Sequence, residues 1–285
     1  MTQLLSPFVG ETRFSIQLAE RVRAQSASVS CARVRTAMQL AALRFEHINI
    51  TRPVVRPEQL DALPELSSRA LISVVIDHFR HAELLSDVMR STGHMIGVLI
   101  DVDVGLQSTG LKPGTDTARL AMAASGLPGL RFVGVHVDDR DDSCADLSLV
   151  HVELSEMFRM AIHAKRSIEV QGLTCSEIAS GYRCSSEQLH ATGVTIALSE
   201  ATDSPILAPR SPSAAVRSTV LSRPSFERCV LDVGRADFGA ASRIAMTRPA
   251  GATIHRIMDD ATTLLLAGES LDLAIGDEIL LHCFD

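Results

Sequence analysis

The sequence predicts an α/β fold: a (β/α)8 barrel of the TIM type over residues 1–204, followed by a small C-terminal β domain over residues 205–285. Three observations carry this. Eight strand-like runs alternate with helical patterns as far as Leu198. No GxGxxG turn follows the first strand, which weighs against a doubly wound sheet. The texture then changes: Glu200–Ser225 carries Pro205, Pro209, Pro212 and Pro224 among several serines, and only short strand-like runs follow it.

The strand-like runs are Ser6–Val9, Ala27–Cys31, His47–Thr51, Ile72–Asp77, Gly97–Val104, Arg131–Val137, Cys175–Ala179 and Val194–Leu198. Each is short, and Ile72–Asp77 and Gly97–Val104 are rich in Val and Ile, as a strand buried on both faces requires. Between them, apolar residues at helical spacing predict helices over Phe14–Arg23, Val34–Leu43, Pro57–Leu63, His81–Met89, Asp116–Ala124, Ser148–Ala164 and Ser185–Ala191. After the Pro-bearing boundary, "CVLDVG", "ATIHRIM", "TTLLLAG" and "DEILLHCF" predict the strands of the second domain.

Composition narrows the partners. A net charge of -7 argues against nucleic acid or an anionic membrane as the main partner. The longest apolar runs, Leu71–Ile76 and Met95–Ile100, are strand-sized and too short to cross a bilayer. The six cysteines are scattered without a CxxC pair, and no signal peptide opens the chain; both features point to reduced thiols and the cytoplasm. Lysine occurs only at 112 and 165.

In a barrel the chemistry gathers at the C-terminal ends of the strands. That rule selects Gly10, Cys31, Asp77 with His78, Asp103 to Ser108, His136 with Asp138 and Asp139, Ser180 with Gly181, and Ser199 with Glu200. The stretch "IDVDVGLQSTGLKPG", Ile100 to Gly114, reads as one strand and its rim loop, and its two aspartates are open to chemistry, solvent or a salt bridge. An acidic mouth with two histidines suits a divalent metal, or else "DDRDD" is a solvated charge run. "SGYRCSS" opens a helix, so Ser180, Gly181, Arg183 and Ser185 are candidates for a phosphate, or for an ordinary capped start with Ser185 as N-cap. His282, Cys283 and Asp285 at the C-terminus are candidate metal ligands, or the residues of a frayed terminal strand.

The residues then show a resemblance. "VLIDVDVGLQSTGLKPG" followed by "GLPGLRFVGV" resembles the D-threonine aldolase and D-serine dehydratase-like group, enzymes of the alanine racemase type. "SVSCARV", "ISVVID", "GLTC", "GVT", "SRP", "LDVG" and "IGDEILL" agree in order, so the resemblance spans almost the whole chain. It implies a barrel followed by a β domain, pyridoxal phosphate as cofactor, a divalent ion (zinc or manganese), a small amino-acid substrate and a homodimer. It also marks departures. The family's first barrel strand ends in the lysine that holds the cofactor as a Schiff base; "LSPFVG" matches it with Gly10 at the lysine position. Ser108 stands where the family places an arginine near the cofactor, and Asp138 and Asp139 stand at its aromatic and histidine positions. Of the phosphate loop, Gly181 and Ser185 keep a suitable character. The terminal metal pair, a His followed two residues later by Asp or Cys, meets His282 and Phe284. Family chains carry a strand and a helix ahead of the lysine segment, where nine residues precede Gly10 here.

Three functions follow as expectations. The first is a family member that has lost catalysis and binds a small amino-acid or phosphorylated ligand. The second is an active metal- and pyridoxal-phosphate-dependent aldolase or dehydratase of D-3-hydroxy amino acids. The third is a metal-assisted hydrolase or lyase that uses Asp77, His78, Asp103, His136 and Asp138.

Overall fold

A computed structural model of the chain describes residues 29–138, 154–180, 196–198, 215–238, 243–246, 249–258 and 260–284. The described residues fall into two compact units, one reaching to Asp203 and the other running from Ser204 to the C-terminus. No helix among the described residues is long and apolar enough to cross a membrane.

The first unit runs β1 (Val29–Cys31), α1 (Val34–Ala42), β2 (His47–Ile50), α2 (Pro57–Leu60), α3 (Leu63–Arg69), β3 (Leu71–Ile76), α4 (Phe79–Thr92), β4 (Ile96–Val102), α5 (Thr115–Ser125), β5 (Leu130–Val137), α6 (Leu154–Glu169), β6 (Glu177–Ser180) and β7 (Ile196–Leu198). The seven strands form one sheet in the order of the chain, and every neighbouring pair is parallel. The order never reverses, so this is not a doubly wound sheet, whose strand order turns back at a switch point. The runs expected at Ser6–Val9 and Phe14–Arg23, and the helix at Ser185–Ala191, lie outside the described residues. The helix expected over Pro57–Leu63 is two short helices that turn at Asp61 and Ala62, and Pro64 opens the second. Proline suits a first turn, where its missing N–H has no partner to lose.

Residues two apart on a strand share a face, which divides this sheet sharply. One face is apolar and mostly aliphatic: Ile48, Ile50, Ile72, Val74, Ile76, Val98, Ile100, Val135, Val137 and Ile178 are all buried. It matches the apolar stripes of the helices, where Leu40, Leu63, Leu66, Leu85, Met89, Ala121 and Met157 are buried. Each fully buried aliphatic side chain of this size contributes about 1.5–3 kcal/mol. The other face is layered. Ser30, Asn49 and Ser73 share one register row near its N-terminal edge. Above them Val75, Leu99, Val133 and Ala179 cluster. Above those, toward the C-terminal edge, come Asp101 and His136, which face each other in register.

The second unit runs β8 (Ala215–Ser225), β9 (Arg228–Leu231), α7 (Arg235–Phe238), β10 (Arg243–Met246), β11 (Thr253–Ile257), β12 (Thr262–Leu265), a 3-10 turn (Gly268–Asp272) and β13 (Glu278–Phe284). Its strands are antiparallel, in the order β10-β13-β8-β9-β12-β11. The longest strand, β8, takes up the C-terminal end of the segment expected to be a boundary. Two features hid it. Ser218 and Ser222 face inward at positions where alternation calls for apolar residues, and both are fully buried. Pro224 sits where the β8–β9 register shifts, between Ser222 and Ser225, a place that strands leave to proline.

The core of this unit joins Val220, Cys229, Leu231, Val233, Phe238, Leu264, Ile279, Leu281 and Cys283. Burial pushes the Cys229 thiol up to about 12, against a pull from Arg223 in the other direction. The folded chain thus holds this proton more tightly than the unfolded chain, where a thiol titrates near 9.0. The stability it contributes is complete below pH 9 and is lost as pH rises from about 9 toward 12. Thermal melts across that range should show the loss, and Cys229→Ala should flatten it. An unchanged slope in the variant would mean the thiol ionises as freely in the fold as outside it.

Candidate functional site at the C-terminal ends of the parallel strands

Chain direction alone brings the polar residues of this unit together. In a parallel sheet every strand delivers its following loop to the same edge. There β4 ends at Val102, and the chain loops back so that Leu111 bridges Val102. Asp103 N donates to the Leu111 carbonyl at 2.8 Å, and Leu111 N to that of Asp101 at 2.9 Å. The return passes through Gly110, whose φ is +102°. A side chain there would meet the backbone of Val102 and Asp103, at 2.8 and 2.6 Å, so the position requires glycine.

Three carboxylates hold this loop. Asp103 Oδ1 accepts the amides of Gly105 and Gln107 at 3.0 and 3.2 Å. Asp77, just past β3, accepts the Gly110 amide on Oδ2 at 2.8 Å. Asp101 accepts the Thr109 hydroxyl on Oδ2 at 2.6 Å. Its other oxygen lies 2.8 Å from His136 Nδ1. Asp101 and His136 are 1% and 2% exposed. A carboxylate at that distance fixes the imidazole with Nδ1 as donor.

The network runs on through Arg52, which follows β2. Its Nη1 donates to Thr109 Oγ1 at 3.3 Å and lies 3.4 Å from Asp138 Oδ2. A second buried pair stands beside it, His81 Nδ1 lying 3.2 Å from Asp77 Oδ1. The rim thus joins Arg52, Asp77, His81, Asp101, Thr109, His136 and Asp138 from four consecutive strands.

Of the residues selected from sequence, Asp77, His136 and Asp138 come together here. His78 does not: it is exposed and caps α4, its Nδ1 accepting the Arg80 amide at 3.0 Å. Asp103 is occupied by the loop's own amides. Cys31 is buried, and its thiol meets the Arg33 carbonyl at 3.6 Å. Ser180 ends β6, while Gly10, Asp139, Gly181, Arg183, Ser185, Ser199, Glu200 and Asp285 lie outside the described residues. His282 and Cys283 are neighbours on β13 and so point to opposite faces of it. Cys283 belongs to the unit's apolar core, where burial raises its thiol. The strand therefore does not present these two residues to one ion. Among the described residues no group of three or more His, Cys, Asp and Glu side chains is placed to hold a metal.

Sequence reasoning missed Arg52, His81 and Thr109. The i,i+4 spacing of Asp77 and His81 across a helix start was a usable signal. Arg52 and Thr109 gave none, because their partners lie far along the chain.

Comparisons with known proteins show what the chain is similar to. Residues 14–142 match the family described as "Alanine racemase, N-terminal domain". A D-threonine aldolase of Arthrobacter sp. is 26% identical over 230 residues, which cover 72% of this chain and 58% of that protein. Just under half of this chain is thus similar to the alanine racemase N-terminal domain. Solved structures agree on the fold. D-threonine aldolase from Filomicrobium marinum matches 94% of this chain and 76% of its own, with a TM-score of 0.56 at 23% identity. A C353A mutant of D-threo-3-hydroxyaspartate dehydratase in the metal-free form matches 97% and 81%, with a TM-score of 0.51 at 16% identity.

The chain's two lysines have definite places. Lys165 lies on α6, and its ammonium pairs with Glu169 Oε1 at 2.6 Å and donates to the Cys175 carbonyl. Cys175 precedes β6, so this lysine is tied to the N-terminal edge of the sheet, opposite the rim. Lys112 follows the rim loop and is exposed.

Proposed function

We propose that the chain has lost Schiff-base chemistry and binds a small molecule non-covalently at the C-terminal rim of its parallel sheet. The observation that carries this is the position of its lysines. In the family that the resemblance names, pyridoxal phosphate supplies an electron sink once its aldehyde is bound to a lysine amine inside the barrel mouth. The chain's residues do not fit that attachment. Lys165 is engaged at the wrong edge, and Lys112 stands open to water, where an imine hydrolyses. Gly10, at the position the resemblance assigns to the lysine, has no amine to offer. What the rim does provide is a rigid polar surface, in which each loop-holding carboxylate already has its partners.

The reading includes closure of the sheet into a (β/α)8 barrel by an eighth strand from residues 6–9, in line with the unbroken strand order. It also includes a cytoplasmic homodimer, which light scattering checks. The activity test is direct. Protein incubated with pyridoxal phosphate and desalted should show no imine absorption band and should release neither acetaldehyde from D-threonine nor pyruvate from D-serine. A retained band with turnover of either amino acid would contradict the proposal.

A further inference from the structure

The helical layer of the first unit carries a groove that the rim does not use. Helices α5 and α6 pack against each other and leave a cavity of about 750 Å3 along their seam. Ala118 and Met122 line it from α5, and His163, Arg166 and Val170 from α6 and the turn after it. Spacings of three and four residues put each set on one stripe of its helix. His163 Nε2 lies 3.7 Å from where a Gly114 Cβ would stand, so the start of α5 meets the middle of α6. Ala118 is buried, while Met122 and Val170 are 43% and 82% exposed. Single exposed apolar side chains are ordinary, but two beside one groove form a local apolar surface. Two guanidinium groups, those of Arg119 and Arg166, also line the groove, and no aspartate or glutamate among the described residues does. Arg119 lies 3.8 Å from Asp116, an exposed contact of little strength. Arg166 makes no ion pair among the described residues.

We propose that this groove binds a small amphipathic anion, a molecule with an aliphatic body and a single carboxylate. The aliphatic part covers Met122 and Val170, and the carboxylate meets the Arg166 guanidinium, whose planar fork matches it with two hydrogen bonds. Charge selects the anion: in a chain of net charge -7 this lining is basic, and a cation would be repelled from it. Size selects a small molecule over a protein. A stable protein interface takes about 20–30 residues a side, whereas ten described residues line this groove. Thr115 to Met122 spans about 10 Å of helix. The volume falls within the range of about 300–1,000 Å3 usual for small-molecule sites. The helices lie on the aliphatic face of the sheet, and Asp101 and His136 lie on the other. The groove is therefore separate from the rim and does not rest on the function proposed there.

The experiment titrates the full chain by calorimetry with octanoate, 1-octanol and octylammonium at neutral pH. The chain has no tryptophan, so Met122→Trp places a sole fluorophore in the groove and reports where a probe binds. The expected result is saturable binding of octanoate, weaker binding of 1-octanol and none of octylammonium. Octanoate shifts the tryptophan emission over the same concentrations. Arg166→Glu weakens octanoate binding about tenfold or more, as the loss of a charged hydrogen bond implies. Its melting temperature stays within about 2 °C of the parent, because Arg166 is exposed. Should that variant not fold, Arg166→Gln must weaken octanoate in the same direction. Binding of 1-octanol as tight as that of octanoate, unaffected by either variant, would overturn the anion. Octanoate binding that leaves the tryptophan emission unmoved and ignores Arg166→Glu would lie elsewhere and overturn the site. Failure of the parent chain to bind octanoate would overturn the proposal outright and leave the reading of the rim as it stands.

Discussion

Asp101→Ala should lower the stability of the first unit by about 3–5 kcal/mol, the range for breaking a buried ion pair from one side. Asp101 is fully buried and accepts from Thr109 at 2.6 Å and from His136 at 2.8 Å. Truncation strands the hydroxyl and the imidazole together, and it releases the Thr109 side of the rim loop. For a unit of this size the loss corresponds to a fall in melting temperature of about 6–20 °C. His136→Ala should cost less, because Asp101 keeps Thr109. The double variant should cost less than the sum of the single ones, since both remove the same pair. Strict additivity would mean that the 2.8 Å approach contributes nothing.

Gly134→Ala should be comparably severe, at about 3 kcal/mol or more. Leu99 pairs with Gly134 and Val98 with Phe132, so Val133 is an extra residue that bulges β5. The bulge brings Gly134 against the first residue of β6. A methyl group there would overlap the Glu177 carbonyl oxygen and stand 2.9 Å from its carbon. These are backbone atoms that cannot rotate away. The variant must therefore separate β5 from β6 or shift the register, either of which disturbs His136 two residues on. A melting temperature within about 2 °C of the parent would show that the strands part at no cost, well short of the shift expected from the overlap.

The elements were legible where burial is one-sided or complete. The aliphatic face from Ile48 to Ile178 wrote the central strands β3 and β4 into the sequence as Val/Ile-rich runs and left alternating Ile or Val positions in the others, and the strand order followed from alternation with helices. The second unit was legible except for β10, a four-residue run that was not expected, and β8, where inward serines broke the period that reveals a strand. The site was legible by position and only partly by partner. The rule that function gathers at strand ends found Asp77, His136 and Asp138. It could not show that Asp103 is taken up by the amides of its own loop, or that Asp101 and not Asp103 meets His136. Alternation puts those two aspartates on one face, but β4 ends at Val102, so Asp103 turns into the loop while Asp101 stays in register with His136. Arg52 was hidden because its partners come from the β4 loop and from the end of β5.

The central claim is that no lysine of this chain carries a cofactor, and one measurement addresses it. The protein is incubated with pyridoxal phosphate, reduced with borohydride to trap any imine, digested, and mapped by mass spectrometry. The account predicts at most sparse labelling at the exposed Lys112 and none at Lys165, whose ammonium is engaged by Glu169 and the Cys175 carbonyl. A stoichiometric adduct on either lysine would contradict it.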